Sequence, residues 1–274
     1  MISTIINLRL GSYTVSALRD LQEHFPRVRD AFPDVSNEEL TQLTRQYPAT
    51  VTPDGFLDSP TFAFLIRGSG QTMLVDTGMG PRPSPFSGQT GTLLSMLSDA
   101  GVDPPDITTV FLTHAHPDHL GWILDLKMQP TFANARHVIN RRELGSAPPP
   151  ARLILDLLQK QNLLESFEDT WTLGETLQTV FTPGHTPGHT SLLLHSDGAQ
   201  LLFLGDALVH PVQLQHPEWV MGLDHDSQQA IHTRQEVMAW ASAGHGWLAA
   251  THFQRPFVRA EASLGRADSG NSAG

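Results

Sequence analysis

Between Thr113 and His119 the chain reads Thr-His-Ala-His-Pro-Asp-His, directly after the apolar run of residues 107–112. Four side chains able to ligate a metal, His114, His116, Asp118 and His119, fall within six residues. At the end of a strand alternate residues share a face, so His114 and His116 aim the same way, while Pro117 bends the chain and swings Asp118 and His119 to a second point. Two clusters on one turn predict two metal ions. Crowding three histidines and an aspartate this tightly is costly unless a cation neutralises and orders them.

A centre of two metals needs further ligands, and the chain contains no cysteine, so they must be histidine or carboxylate. Three stretches can supply them. Thr182-Pro183-Gly184-His185-Thr186-Pro187-Gly188-His189 follows a predicted strand and flanks each histidine with glycine, which lets backbone approach a metal closely. Leu204-Gly205-Asp206 puts a carboxylate, and Ala250-Thr251-His252 a histidine, at the end of a further apolar segment.

Charge excludes other classes. A formal net charge of −11 and only two lysines, Lys127 and Lys160, argue against a nucleic-acid partner. Neither lysine follows a glycine-rich loop, so no P-loop is present, and no G-x-S-x-G elbow suggests a serine nucleophile. The N-terminus lacks the pattern of a signal peptide, and no run of eighteen apolar residues occurs. The expectation is a soluble, cytoplasmic protein with no membrane partner, acting on a small molecule; a homodimer is allowed.

The periodicity predicts strands near residues 5–10 and 13–18, then a helix from about Ser36, where Ser36-Asn37-Glu38-Glu39 forms a capping box. Residues 48–60 read as a loop, 61–67 and 71–75 as a hairpin, and the Pro/Ser/Gly-rich piece up to Gln89 as a mobile loop at the mouth of the site. Leu93, Leu94, Met96 and Leu97 suit a buried helix stopped by Gly101, and residues 120–126 a further helix. After a strand at 136–139, Pro148-Pro149-Pro150 introduces a helix with an apolar stripe of Leu153, Ile154, Leu157, Leu158 and Leu164, packed on the core or closing over the pocket as a lid. Strands at 177–181, 191–195 and 200–204, a helix at 227–241 and a strand at 247–251 complete the series. The expected organisation is a single α/β domain over residues 1–260, with two packed sheets and helices outside, and a flexible tail over 261–274.

The combined motifs resemble the metallo-β-lactamase superfamily: H-x-H-x-D-H, the PGHTPGH segment, a strand-end Gly-Asp and a late histidine stand in that family's order. Asp76-Thr77-Gly78-Met79-Gly80, His210-Pro211 and Leu223-Asp224-His225-Asp226 are similar to the branch containing methyl parathion hydrolase and related esterases and lactonases. The resemblance implies a four-layer αββα sandwich with two mixed β-sheets and helices on the outer faces. It makes His114, His116 and His185 ligands of a first metal and Asp118, His119 and His252 ligands of a second, with Asp206 bridging both. His189 and Asp76 would hold these ligands in place. His24, His137, His195, His232 and His245 are read as surface or structural histidines.

The implied chemistry is hydrolysis. Two ions, zinc or alternatively iron or manganese, about 3.5–4 Å apart would hold a bridging hydroxide at neutral pH as nucleophile, with Asp118 passing a proton to the leaving group. A small neutral ester, lactone or phosphotriester is the expected substrate, the pocket being assigned to Met79, Trp122, His210, Phe253, Arg255 and Phe257. Acyl-homoserine lactonases often carry a tyrosine three residues after the bridging aspartate. Here that residue is Val209, which counts against the lactone as the specific substrate. Arg255 in the pocket would instead admit a carboxylated substrate. The rival class is an iron-dependent oxidoreductase of the same fold, such as a persulfide dioxygenase.

Overall fold

The computed structural model describes residues 5–244 and 246–259. His245 and the expected tail at 261–274 lie outside the described residues.

Among the described residues the first sheet has seven strands in sequential order: β1 (Ile5–Leu10), β2 (Tyr13–Arg27), β3 (Phe56–Gly68), β4 (Gln71–Val75), β5 (Thr109–Phe111), β6 (Arg136–Asn140) and β7 (Leu164–Phe167). Pairing is antiparallel from β1 to β4 and parallel from β4 to β7. The second sheet has six: β8 (Thr172–Leu173), β9 (Leu177–Phe181), β10 (Thr190–Ser196), β11 (Ala199–Phe203), β12 (Trp247–Ala249) and β13 (Phe257–Arg259), with β11 and β12 parallel and the rest antiparallel. Helices are α1 (Val28–Ala31), α2 (Asn37–Gln46), α3 (Leu93–Asp99), α4 (Pro117–Leu120), α5 (Arg141–Ser146), α6 (Pro149–Lys160) and α7 (Ser227–Ser242).

Strand alternation sorts the side chains into layers. On β3, Phe62, Phe64 and Ile66 turn inward, as do Leu192 and Leu194 of β10 and Leu201 and Phe203 of β11, and these form the core between the sheets. The intervening Ala63 and Leu65 pack outward with Leu93 and Leu97 of α3 and Leu155 and Leu158 of α6. On the other side Leu193 and Leu202 meet Val237, Met238 and Ala241 of α7. The result is the αββα sandwich.

Several elements differ from expectation. β2 does not stop at residue 18 but continues to Arg27, because it gains β3 as a partner down to the pair Arg27 and Phe56, which also converts part of the expected 48–60 loop into strand. The expected helix at 120–126 is instead the single turn of α4 and a 3-10 turn over Gly121–Ile123. Asp125 ends it: its carboxylate accepts from the amides of Lys127 and Gln129, a turn that competes with helix, and Leu124 pairs with Pro130. On α6 the buried face is Ala151, Leu155 and Leu158, Leu153 is half exposed, and Leu164 belongs to β7. That face packs on the core, and no α6 residue lines the central cavity, so the helix is not a lid. The last expected strand ends at Ala249, and β13 was not foreseen. The Ser36 capping box is present, with both reciprocal hydrogen bonds to Glu39.

Candidate metal centre

The candidate ligands come from turns at the C-terminal ends of strands, where an α/β sheet exposes loops to one common crevice. His114, His116, Asp118 and His119 follow β5, His185 follows β9, Asp206 follows β11 and His252 follows β12. These seven form two adjoining groups, His114 with His116, His185 and Asp206, and Asp118 with His119 and His252.

Asp206 stands between them. Its Oδ2 lies 3.1 Å from His185 Nε2 and 3.8 Å from His114 Nε2, while its Oδ1 lies 3.2 Å from both His119 Nε2 and His252 Nε2. Within the first group, His116 Nδ1 is 3.1 Å from His114 Nε2 and 3.0 Å from His185 Nε2. Across the second, Asp118 Oδ2 is 3.5 Å from His252 Nε2 and 3.7 Å from His119 Nε2.

The outer ring nitrogens are tied down. His119 Nδ1–H donates to Asp76 Oδ2 at 2.7 Å, and His252 Nδ1–H donates to the Pro60 carbonyl at 2.9 Å. His185 Nδ1 lies 3.2 Å from Asp224 Oδ1, whose second oxygen pairs with the buried Arg234 at 3.1 Å. His114 Nδ1 meets Thr113 Oγ1 at 3.0 Å. With those nitrogens occupied, each Nε2 is left to point inward. Asp76 itself takes φ of 58°, a left-handed conformation that aspartate tolerates, and so also accepts from the amide and hydroxyl of Thr113.

His189 has both nitrogens engaged elsewhere. Its Nδ1 faces the Thr182 carbonyl at 3.0 Å, and its Nε2 accepts from the Asp206 amide at 2.9 Å. It positions the backbone of Asp206. Glu143, unnoticed in the sequence, is buried and accepts from Ala115 N and Gly188 N, joining the turn after β5 to the loop after β9.

The electrostatics call for a cation. Burial disfavours a charge on His119, yet Asp206, Asp76 and Asp118 outweigh it and push the ring well above the usual histidine range. His185 responds likewise: burial opposes its charge, but Asp206 and Asp224 push it up to about 9. His114 is pushed well below its ordinary value, by burial first and then by the charge on His119. Burial would also raise Asp206, but His119, His252 and His185 hold it well below the carboxylate range. The carboxylates thus favour positive charge at His119 and His185, while burial disfavours it at His114 and His116. Asp206 Oδ1 and His119 Nε2 remain buried without a hydrogen-bond partner. A cluster of histidine nitrogens and shared carboxylate oxygens with such orphaned atoms fits two borderline divalent cations of the zinc type.

A cavity of about 350 Å³ opens onto the centre. His116, Asp118, His185, Asp206 and His252 form its floor, and Phe25, Leu57, Met79, Phe86, Val209, Met221 and Leu223 are among its apolar walls. Of the expected pocket residues only Met79 lines it. Trp122 instead donates its indole N–H to Asp20, and His210 is buried with Nε2 on the Thr50 hydroxyl. Phe253 points into the core beside α7. Phe257 packs on Phe64, and Arg255 is exposed away from the cavity. Sequence proximity to a ligand misled in each case. The real walls come from the extension of β2 and β3, which carries Glu23, Phe25 and Ser59, from Thr61 at the start of the expected strand, and from the loop that holds Met221 and Leu223.

The family described as the metallo-beta-lactamase superfamily matches residues 57–239 of the chain. An N-acyl homoserine lactonase of Bacillus cereus is 25% identical over 172 residues, covering 57% of this chain and 66% of that protein. The N-acyl homoserine lactonase AttM of Azorhizobium caulinodans is 34% identical over 145 residues, 48% of either chain. The chain thus spans less than two thirds of the curated relatives it matches. Among solved structures, AidC, described as a dizinc quorum-quenching lactonase in complex with its product, superposes with a TM-score of 0.82 at 25% identity, over 93% of this chain and 92% of that one. The hydrolase AbOPH superposes with a TM-score of 0.80 at 23% identity over 93% and 92%.

Proposed function

The chain belongs to the metallo-beta-lactamase superfamily, and from that premise we propose that it is a dinuclear metal-dependent hydrolase of small neutral lactones or esters. One observation carries the reading: Asp206 presents one oxygen to each of two ligand groups, the arrangement a carboxylate adopts to serve two cations at once. His114, His116 and His185 would hold one ion, Asp118, His119 and His252 the other, and zinc suits the donors. The two metals supply a lowered water pKa, from about 15.7 towards 7, and polarisation of the substrate oxygen.

The chain's own residues do the rest. Asp118 lines the cavity, and its side chain is 26% exposed where that of His119 is 0% and that of Asp206 7%. It is therefore the most exposed carboxylate among the ligands, placed to take the proton given up by the attacking water and pass it to the leaving group. Asp76, the Asp224–Arg234 pair, Glu143 and His189 fix the ligand atoms, so little reorganisation is needed when charge develops. The apolar walls shed water around the bound acyl or alkyl group.

Lactone chemistry, which Val209 counts against in the sequence, is favoured by the relatives: curated lactonases and a dizinc lactonase structure stand among them. The same comparisons do not favour an iron oxidoreductase. Initial rates of zinc-loaded protein on an acyl-homoserine lactone, an aryl ester, an aryl phosphotriester and a β-lactam test the reading. Turnover of the lactone or ester above the β-lactam is expected. Inactivity on all four with two metals bound would refute it.

A further inference from the structure

Among the described residues, and apart from the groups of the metal centre, one ionisable side chain lines the cavity, and it is an acid. Glu23 sits on the part of β2 that runs beyond residue 18 and pairs across the ladder with Ser59. The neighbouring Pro60 is the residue whose carbonyl receives His252 Nδ1–H. At roughly 3.4 Å per strand residue, Glu23 therefore lies one or two residue steps from the backbone that holds a candidate ligand. Glu23, Ser59 and Thr61 make a polar row on this wall, facing the apolar side chains of Met79, Val209 and Met221.

Glu23 is 7% exposed and its Oε1 accepts from Ser87 Oγ at 2.7 Å, so the carboxylate is held in place. Next to it Phe25 stacks on Phe86 of the same loop at 3.6 Å. No lysine or arginine lines the cavity among the described residues. A carboxylate held in a largely apolar wall repels an anionic group and favours a cation or a hydrogen-bond donor.

We propose that Glu23 is the specificity-determining residue of this hydrolase, admitting acyl groups that carry a hydrogen-bond donor or a positive charge a few atoms from the scissile carbonyl and rejecting anionic ones. The proposal rests on the hydrolase reading for its reaction but not for its binding. The charge that Glu23 brings to this wall is the reverse of the one Arg255 would have supplied.

The test uses aryl esters of a four-carbon acyl chain ending in a tert-butyl, trimethylammonium or carboxylate group, together with the three matching aryl ketones, which bind but cannot be hydrolysed. Zinc-loaded wild type and Glu23→Gln, which keeps the size and the Ser87 hydrogen bond, are compared by kcat/KM for the esters and by calorimetric affinity for the ketones. Relative to tert-butyl, Glu23→Gln is expected to weaken the ammonium probe about tenfold and strengthen the carboxylate probe several-fold. Ser87→Ala, which loosens the loop and leaves the charge, is expected to preserve the order of the three probes. An order unchanged by Glu23→Gln, an equal change for all three probes, or no binding of any ketone overturns the proposal. Ketones that bind in the expected order while no ester is hydrolysed uphold Glu23 and sink the hydrolase reading. Hydrolysis indifferent to Glu23→Gln does the opposite.

Discussion

Replacing Asp76 by Asn removes one charge without changing shape. In the wild type the carboxylate accepts three hydrogen bonds, from Thr113 N at 2.8 Å, Thr113 Oγ1 at 2.8 Å and His119 Nδ1 at 2.7 Å. Asparagine also tolerates the left-handed backbone found at this position, so the turn survives. The amide can still accept from Thr113 N through its oxygen in the place of Oδ1, but its NH2 then takes the place of Oδ2 and confronts both the hydroxyl and the imidazole. Against the imidazole it favours the tautomer with the proton on Nε2, the nitrogen that must face the metal. The loss is that of a charge-assisted hydrogen bond, about 1.5–3 kcal/mol. That agrees with the 10- to 100-fold, about 1.4–2.7 kcal/mol, by which partners of metal-bound histidines change affinity. Competition with a chromophoric chelator, read as two successive binding steps, should show one zinc held as in wild type and the other weakened by that factor. Two steps of unchanged affinity would refute the argument, as would equal weakening of both with circular dichroism intact.

Other consequences can be measured separately. Burial pushes His210 down to about 3 and His137 to about 4, so both are neutral when folded and gain a proton near pH 6.5 on unfolding. Their contribution to stability is complete above pH 6.5 and is lost as pH falls towards 4 and 3, at about 1.4 kcal/mol per unit each; urea midpoints across that window should fall less steeply in His210→Gln, and equal slopes would contradict it. Gly121→Ala would set a Cβ 2.0 Å from the Met79 carbonyl, forcing backbone apart beside the cavity, so a lower melting temperature and a raised KM are expected, against no change in either if the turn can yield. Removing metal by chelation should lower the melting temperature through mass action, by about 4 kcal/mol at a thousandfold excess of free zinc over Kd, and a melting temperature independent of zinc would argue against binding to the folded state.

The turn after β5 announced the site because its residue types have few other uses together, and the four groups of histidine and aspartate that converge are those the sequence singled out. The periodic elements were equally plain: β10 and β11 alternate leucines between two cores, and the capping box opens α2. Less legible was the second half of β2, where Asp20, Glu23, His24 and Arg27 interrupt any apolar alternation. Only tertiary partners explain it: Asp20 is buried under donors from Met79, Leu93 and Trp122, and Glu23 faces the cavity. The pocket walls were missed for the same reason, since they depend on which loops the sheets bring together. Glu143 and Arg234 look like surface charges in the chain, and their burial follows from pairing with groups far away in sequence.

Metal content of the protein purified with zinc present, by elemental analysis against chain concentration, tests the central claim most directly. Two zinc ions per chain in the wild type, falling in Asp206→Asn, is the result this account predicts. A single ion per chain, an iron in place of zinc, or two ions retained unaltered when Asp206 is replaced would contradict the shared carboxylate on which the two-metal reading stands.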